Sequence, residues 1–137
     1  MENYIEIKLP AISKNEALAR NAIALFCVEL NPTVDELDDV KTAVSEAVTN
    51  CIVHAYGQEQ GEIILRANVC EQALHIEIED FGVGIEDVES AMKPFFTTKP
   101  EDERSGMGFT IMGAFMDNLL VKRNESGGTV VIMDKKF

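Results

Sequence analysis

Basic residues are scarce in this chain. Its 137 residues include 12 lysines and arginines against 24 aspartates and glutamates, which gives a formal net charge of -12. Direct binding of DNA or RNA normally depends on a basic surface that neutralises phosphates, so this charge argues against a nucleic-acid-binding protein. The acidity is compatible with a basic protein partner, although solubility is its commoner purpose.

Cysteine and histidine are also few. The three cysteines, Cys27, Cys51 and Cys70, lie far apart and form no CxxC pair. This favours free thiols over a disulfide or a metal site. The two histidines, His54 and His75, are too scattered to complete a zinc site with these cysteines.

Long apolar runs are missing. No stretch approaches the roughly 18 apolar residues that a membrane-spanning helix needs. Residues 1–6 (MENYIE) contain neither a basic leader nor the apolar core of a signal peptide. We therefore expect a cytoplasmic protein that does not contact a membrane.

Apolar residues make up 46% of the chain, and their spacing changes along it. Alternation predicts strands, and helical spacing predicts helices. The expected strands are 4–9, 63–69, 74–78, 119–123 and 129–133, with tight turns at 71–72 and 126–128. The expected helices are 13–30, 33–56 and a short one that residues 106–108 open and that ends at about 116. We predict a single domain over residues 1–137 of the α+β class. It is a two-layer sandwich in which about three helices cover one face of a mainly antiparallel, mixed sheet.

Two helix starts have the pattern of a capping box. Ser13 is followed three residues later by Glu16, and Thr33 by Glu36. In this motif the hydroxyl and the carboxylate each accept a hydrogen bond from a free amide of the first helical turn.

A polar row accompanies the apolar residues of the second helix. Glu46, Asn50 and His54 are spaced four residues apart and share one side of a regular α-helix. Taken alone, such a row is most often a solvated edge. A functional interpretation depends on the residues that follow.

Asp80 continues the inward side of the strand that contains Leu74, Ile76 and Ile78. A buried carboxylate is costly unless something pairs with it. Gly82 and Gly84 follow, and glycines allow a backbone to approach a ligand closely. This arrangement suits an acceptor for an exocyclic amine, although a strand-ending turn would explain Asp80 and one glycine.

A glycine pair also precedes the last helix. The free amides after Gly106, Met107 and Gly108 would form an anion site at the helix N-terminus. The preceding loop, 92–105, is long for a domain of this size and contains Thr97, Thr98 and Lys99, which could close over phosphates. Thr129, at the start of the last strand, could donate or accept a hydrogen bond at the floor of a pocket.

Together these segments resemble the ATP-binding domains of the gyrase, Hsp90, histidine-kinase and MutL superfamily, which have the Bergerat fold. Residues 45–50 (SEAVTN) with 54–56 (HAY) resemble the N box, and 80–84 (DFGVG) the first glycine box. Residues 94–99 (PFFTTK) resemble the entrance of the ATP lid, and 106–108 (GMG) the second glycine box. The N box and the strand and helix before it are most similar to those of bacterial anti-sigma factor serine kinases.

The resemblance implies a role for each matching residue. Asp80 would accept a hydrogen bond from the adenine amino group, with Thr129 assisting through water. Asn50 would coordinate a Mg²⁺ ion that bridges the phosphates, and Glu46 would act as general base toward a substrate serine. The remaining implied ATP contacts are Gly82, Gly84, Thr97, Thr98, Lys99, Ser105, Gly106, Met107 and Gly108.

The same resemblance implies partners. A homodimer would hold a sporulation sigma factor away from RNA polymerase, and it would phosphorylate a small anti-anti-sigma antagonist on serine and so inactivate it. Arg20, an isolated cation beside the apolar stripe of the first helix, is a candidate partner contact, although an ordinary surface arginine is the commoner case.

Two alternatives remain open at the level of sequence. The chain could be a nucleotide-gated sigma-binding module without significant kinase activity. It could also be an isolated catalytic domain of a histidine kinase, although neither histidine lies in a segment that resembles a phosphoacceptor domain.

Overall fold

A computed structural model describes residues 2–56, 60–83 and 108–137. These residues form five strands and three α-helices, the first of which continues as a 3₁₀ helix, Cys27–Leu30. The strands are β1 (Asn3–Pro10), β2 (Glu62–Cys70), β3 (Ala73–Asp80), β4 (Asn118–Arg123) and β5 (Thr129–Lys136). The helices are α1 (Lys14–Phe26), α2 (Val34–Asn50) and α3 (Gly108–Phe115). The α+β prediction is confirmed.

The five strands form one sheet in the order β1-β2-β3-β5-β4. All four pairings between these described strands are antiparallel, so the parallel pair that a mixed sheet would need is absent from them. The predicted turn between β2 and β3 is confirmed. Glu71 and Gln72 have positive φ angles of 50° and 65°, as a two-residue hairpin turn requires.

The three helices pack on one face of the sheet. Side chains that alternate along the inner strands, among them Leu65 and Ile76, form a single buried cluster with Ile23 of α1, Val44 of α2 and Met112 of α3. Burial of this apolar surface is the main stabilising contribution to the fold. None of the helices in the described ranges is long and apolar enough to cross a membrane.

The other face of the sheet carries charged side chains. Arg66 contacts Glu6 at 3.2 Å and Glu79 at 3.0 Å, and the ring nitrogens of His75 lie 2.6 Å from Asp134 and 2.9 Å from Glu77. Burial lowers the pKa of His75, but the hydrogen bonds and charges of the two carboxylates outweigh this and raise it above 6.5. No helix of the described part of the chain covers this face, so the domain has two layers.

The two predicted capping boxes differ. Thr33 and Glu36 form a complete box, in which Glu36 N–H donates to the Thr33 hydroxyl at 3.1 Å and Thr33 N–H donates to the Glu36 carboxylate at 2.8 Å. The prediction for Ser13 and Glu16 is wrong. Ser13 has helical backbone angles and makes no side-chain cap bond, since its carbonyl and not its hydroxyl accepts from Glu16 N–H. The Glu16 carboxylate accepts hydrogen bonds from Arg20 and Ser45.

The end of α2 also differs from the prediction of one α-helix to residue 56. The α-helix ends at Asn50 and continues as a π-helical turn, Cys51–Ala55, in which Tyr56 N–H donates to the Cys51 carbonyl. A π turn has more residues per turn than an α-helix. His54 therefore does not continue the α-helical row of Glu46 and Asn50.

Removal of the cap hydroxyl should have a different effect on stability at Thr33 and at Ser13. We expect Thr33→Ala to lower the free energy of unfolding by about 1 kcal/mol, because the first turn of α2 loses its acceptor. Ser13→Ala is the matched control and should change the free energy of unfolding by only about 0.3 kcal/mol. Urea denaturation measures both, and equal losses would contradict the difference between the caps.

Candidate functional site

Asp80 is the buried carboxylate at the end of β3. It lies on the inner face, is 4% exposed and pairs with Ile63 of β2. Its Oδ1 accepts hydrogen bonds from Gly82 N–H and from Thr129 N–H, both at 3.2 Å. Two strands and the turn after β3 therefore meet at one oxygen atom.

A thiol is the third donor to Asp80. Cys51, the first residue of the π turn, is 2% exposed and forms a side-chain hydrogen bond with Asp80. Burial, the charge of Asp80 and this bond raise the pKa of Cys51 well above its usual range, so the thiol stays protonated and donates. Burial also raises the pKa of Asp80 above 3.8, and its three hydrogen bonds offset this only in part.

The turn after β3 lies against the C-terminal end of the N-box segment. Val83 N–H donates to the Ala55 carbonyl at 2.9 Å. A Cβ on Gly82 would lie 2.1 Å from the same carbonyl oxygen, so this position requires glycine. The group that Gly82 approaches here is the protein's own backbone, and its predicted approach to a ligand stays a prediction.

The start of β5 is equally close to Asp80. A Cβ on Gly128 would lie 2.2 Å from the Asp80 carbonyl oxygen. Asn124 holds this approach, because its side chain donates to the Asp80 carbonyl at 2.8 Å and accepts from Gly128 N–H at 2.8 Å. Thr129, 6% exposed, thus lies beside Asp80.

A second group of residues lies where α3 begins. A Cβ on Gly108 would lie 3.4 Å from Asn50 Nδ2 and 3.4 Å from Glu46 Oε2. Glu46 and Asn50 are partly exposed, and α2 presents both to the N-terminus of α3. Three residues to which the resemblance gives roles at the phosphates thus lie close together, and those roles stay predictions.

The two groups are joined where α2 passes into the π turn, because Asn50 and Cys51 are consecutive. Cys51 contacts Asp80, whereas Asn50 faces Gly108. The result is a polar site with a buried hydrogen-bond acceptor at one end. At the other end a carboxylate and an amide lie at a helix N-terminus, where backbone N–H groups favour anions.

Arg20 is not the isolated cation that the sequence predicts. Its Nε donates to Glu16 at 3.0 Å, and the same carboxylate oxygen accepts from the Ser45 hydroxyl. The guanidinium is only about one-third exposed, at 34%. Arg20 thus connects the surface of α1 with the residue before Glu46.

Several predicted site residues lie outside the described residues. They are Gly84, Thr97, Thr98, Lys99, Ser105, Gly106 and Met107, together with the rest of the predicted loop.

Comparison with known proteins identifies the family. A family model described as a histidine kinase-like ATPase domain matches residues 9–135. The anti-sigma F factor of Clostridium acetobutylicum is 50% identical over 137 residues, covering 100% of this chain and 96% of the relative. That of Caldanaerobacter subterraneus is 52% identical over 133 residues, covering 97% of this chain and 93% of the relative.

This chain belongs to the anti-sigma F factor family. Its domain is a histidine kinase-like ATPase domain. A solved structure of the RsbU and RsbW domains of a Mycobacterium tuberculosis protein has the same fold, with a TM-score of 0.70 at 17% identity. The alignment covers 98% of this chain and 32% of the solved chain.

Sequence reasoning misses three residues that shape the site: Cys51, Tyr56 and Asn124. The spacing of Cys51 assigns it to the core, and its contact with Asp80 cannot be read from periodicity. Asn124 does carry a signal, because an asparagine before a Ser-Gly-Gly turn often bonds to backbone amides of that turn.

Replacing Gly82 should test the close approach to Ala55. We expect Gly82→Ala to lower the free energy of unfolding by about 1–3 kcal/mol, because the new methyl must displace the Ala55 backbone. Gly113→Ala is the control, since its methyl would meet only a Leu119 methyl at 3.8 Å and alanine favours the helix by up to about 1 kcal/mol. If urea denaturation showed that both variants keep wild-type stability, the close contact between Gly82 and the Ala55 carbonyl would be wrong.

Proposed function

We propose that this chain is an anti-sigma factor and an ATP-dependent protein serine kinase. It binds a sigma factor of the sigma F type and keeps it from RNA polymerase, and it phosphorylates an anti-anti-sigma antagonist on serine. Family membership supports the anti-sigma role. The observation that carries the kinase role is the approach of Glu46 and Asn50 to Gly108 at the start of α3.

The adenine base binds at the Asp80 end of the site. Oδ1 of Asp80 accepts two backbone N–H groups, and the carboxylate also bonds to the Cys51 thiol. The remaining acceptor capacity of the carboxylate serves the adenine amino group. Thr129, next to Asp80, assists through water. Gly82 brings the backbone near the base, and Gly84 of the same motif is assigned with it.

The phosphates bind at the α3 end. Gly108 begins α3, whose first amides point to an anion. Ser105, Gly106 and Met107 precede it and are assigned with it to the phosphates, as are Thr97, Thr98 and Lys99 of the loop before them. This assignment rests on the family resemblance of those segments.

The residues present fit a magnesium ion. Mg²⁺ binds oxygen ligands, usually through one or two protein groups with waters and substrate phosphates completing the octahedron. The Asn50 side-chain oxygen, 3.5 Å from where a Gly108 Cβ would lie, would hold it. When bound, the ion neutralises charge on the phosphates.

Glu46 acts as the general base. Its carboxylate accepts the proton of the substrate serine hydroxyl as that oxygen attacks the γ-phosphorus. The bond between the γ-phosphorus and the bridging oxygen breaks, ADP leaves, and the serine becomes phosphoserine. The protein otherwise contributes positioning and charge stabilisation.

The partners follow from the same proposal. The chain acts in the cytoplasm as a homodimer, where sigma factor and antagonist compete for a surface that includes Arg20. The Arg20–Glu16–Ser45 contacts connect this surface with the segment that contains Glu46. A nucleotide-gated binding module without kinase activity is the alternative.

The adenine contact can be tested with Asp80→Asn. The amide oxygen of the new side chain must face the two backbone N–H donors, which places its NH₂ group toward the adenine amino group, donor against donor. We expect ATP affinity, measured by isothermal titration calorimetry, to fall about tenfold to hundredfold. Glu77→Gln, on the opposite face of β3, should keep wild-type affinity. A folded Asp80→Asn protein with wild-type affinity would show that the base binds elsewhere.

The catalytic role can be tested with Glu46→Gln, which keeps the shape of the side chain but removes the base. With Mg-ATP and purified antagonist, we expect phosphoserine formation to slow by about 100-fold or more. Binding of ATP and of a sigma F-type factor should persist. Glu71→Gln, at the far end of the β2–β3 hairpin, is the control and should keep the wild-type rate of phosphoserine formation.

Unchanged transfer in Glu46→Gln would remove Glu46 from the mechanism. No phosphoserine in the wild-type protein, with sigma binding intact, would favour the nucleotide-gated module.

A further inference from the structure

Tyr56 connects two strands through its hydroxyl group. This hydroxyl donates to the Glu62 carbonyl at 2.6 Å, at the start of β2. It also accepts from Phe81 N–H at 2.7 Å, directly after β3. Both distances are short for hydrogen bonds of these types.

The ring of Tyr56 is fixed by packing. A Cβ on Gly61 would lie 2.3 Å from two ring carbons of Tyr56, so the ring lies flat on the Gly61 backbone. The ring also packs against the buried core. Burial raises the pKa of Tyr56 above 10.0, so the hydroxyl remains protonated at neutral pH and continues to donate to Glu62.

The turn after β3 therefore has a different acceptor for each of its three amides. Phe81 N–H donates to the Tyr56 hydroxyl, Gly82 N–H to Asp80 Oδ1, and Val83 N–H to the Ala55 carbonyl. Two of the three acceptors belong to consecutive residues, Ala55 and Tyr56. The π turn is the element that places both of them against the turn.

The Phe81 amide belongs to the peptide unit that follows Asp80. Asn124 holds the carbonyl of this peptide and Tyr56 holds its N–H group. A rotation of the peptide changes the backbone angle ψ of Asp80 and shifts the next amide, that of Gly82, which donates to Asp80 Oδ1. Without the Tyr56 hydroxyl, Phe81 N–H loses its acceptor. The nearest alternative acceptor along the chain is Asp80 Oδ1, which already accepts from Gly82 N–H. The carboxylate would then no longer be held in one orientation.

We propose that Tyr56 is a positioning residue that sets the selectivity of the site for adenine over guanine by fixing the peptide after Asp80. The inference rests on the proposed role of Asp80 as acceptor for the adenine amino group. Guanine presents a carbonyl oxygen at the corresponding ring position, so it cannot donate to Asp80 there. Loss of orientation at Asp80 should therefore weaken ATP binding more than GTP binding.

Tyr56→Phe tests this proposal, because it removes the hydroxyl and keeps the ring on Gly61. We expect ATP affinity to fall about tenfold and GTP affinity to change much less. The ratio of ATP affinity to GTP affinity therefore falls. Titration calorimetry with both nucleotides gives this ratio. Tyr4→Phe is the matched control, since Tyr4 is 78% exposed, and it should leave the ratio unchanged.

A purely structural role for Tyr56 predicts a different result. If the variant only reduced the folded fraction, both affinities would fall by the same factor, and this outcome would overturn the proposal. An unchanged ATP affinity would overturn it as well. Amide hydrogen exchange offers a second readout, in which Phe81 should lose protection in Tyr56→Phe while the amides of β2 keep theirs.

Failure of the role proposed for Tyr56 can be distinguished from failure of the proposed adenine site. If Asp80→Asn leaves ATP binding intact, the assignment of the base site fails. If Asp80→Asn weakens ATP binding but Tyr56→Phe keeps the wild-type ratio of affinities, only the role of Tyr56 fails.

Discussion

The buried carboxylate of Asp80 is the group on which the rest of the site depends. It receives the amides of Gly82 and Thr129 and the thiol of Cys51, so β3, β5 and the end of α2 meet there. Burial nevertheless raises its pKa. The ionised form therefore lowers the stability of the folded protein near neutral pH. Such a cost is typical of residues kept for function.

The site combines a rigid acceptor with a helix end. Asp80 lies among strands with fixed register, whereas Glu46 and Asn50 meet α3 at its first residue. The change from α-helix to π turn falls between Asn50 and Cys51. One continuous segment can therefore present an amide to one end of the site and a thiol, a carbonyl and a phenol to the other.

The sequence predicts most of this fold because strand alternation and helical spacing are local signals. The five strands, the turn at Glu71 and Gln72, and the cap at Thr33 all follow from short patterns. The cap predicted at Ser13 is wrong, because Ser13 already has helical backbone angles and Glu16 bonds to Ser45, far away in the chain. A local pattern cannot show such competition between partners.

Within the site, the order of the motifs is enough to place a group of six residues: Asp80, Gly82, Thr129, Glu46, Asn50 and Gly108. The roles of Tyr56 and Asn124 are not predictable in this way. Each bonds to a backbone group that is distant in the chain. Only the bond between Asn124 and Gly128, within one turn, has a local sequence signal. The π turn escapes prediction for a related reason, since an extra residue in a turn leaves the apolar spacing almost unchanged.

The strand order also bears on how the chain folds. The hairpins β2–β3 and β4–β5 join neighbours in the sequence, but the seam between β3 and β5 joins Ala73 to Lys136. Contacts of such separation form late, because the loop between them must close first. Asp80 and Thr129 lie at that seam. A partly folded chain without this seam would also lack the proposed base site, so a ligand that binds there would stabilise the native state over such a chain.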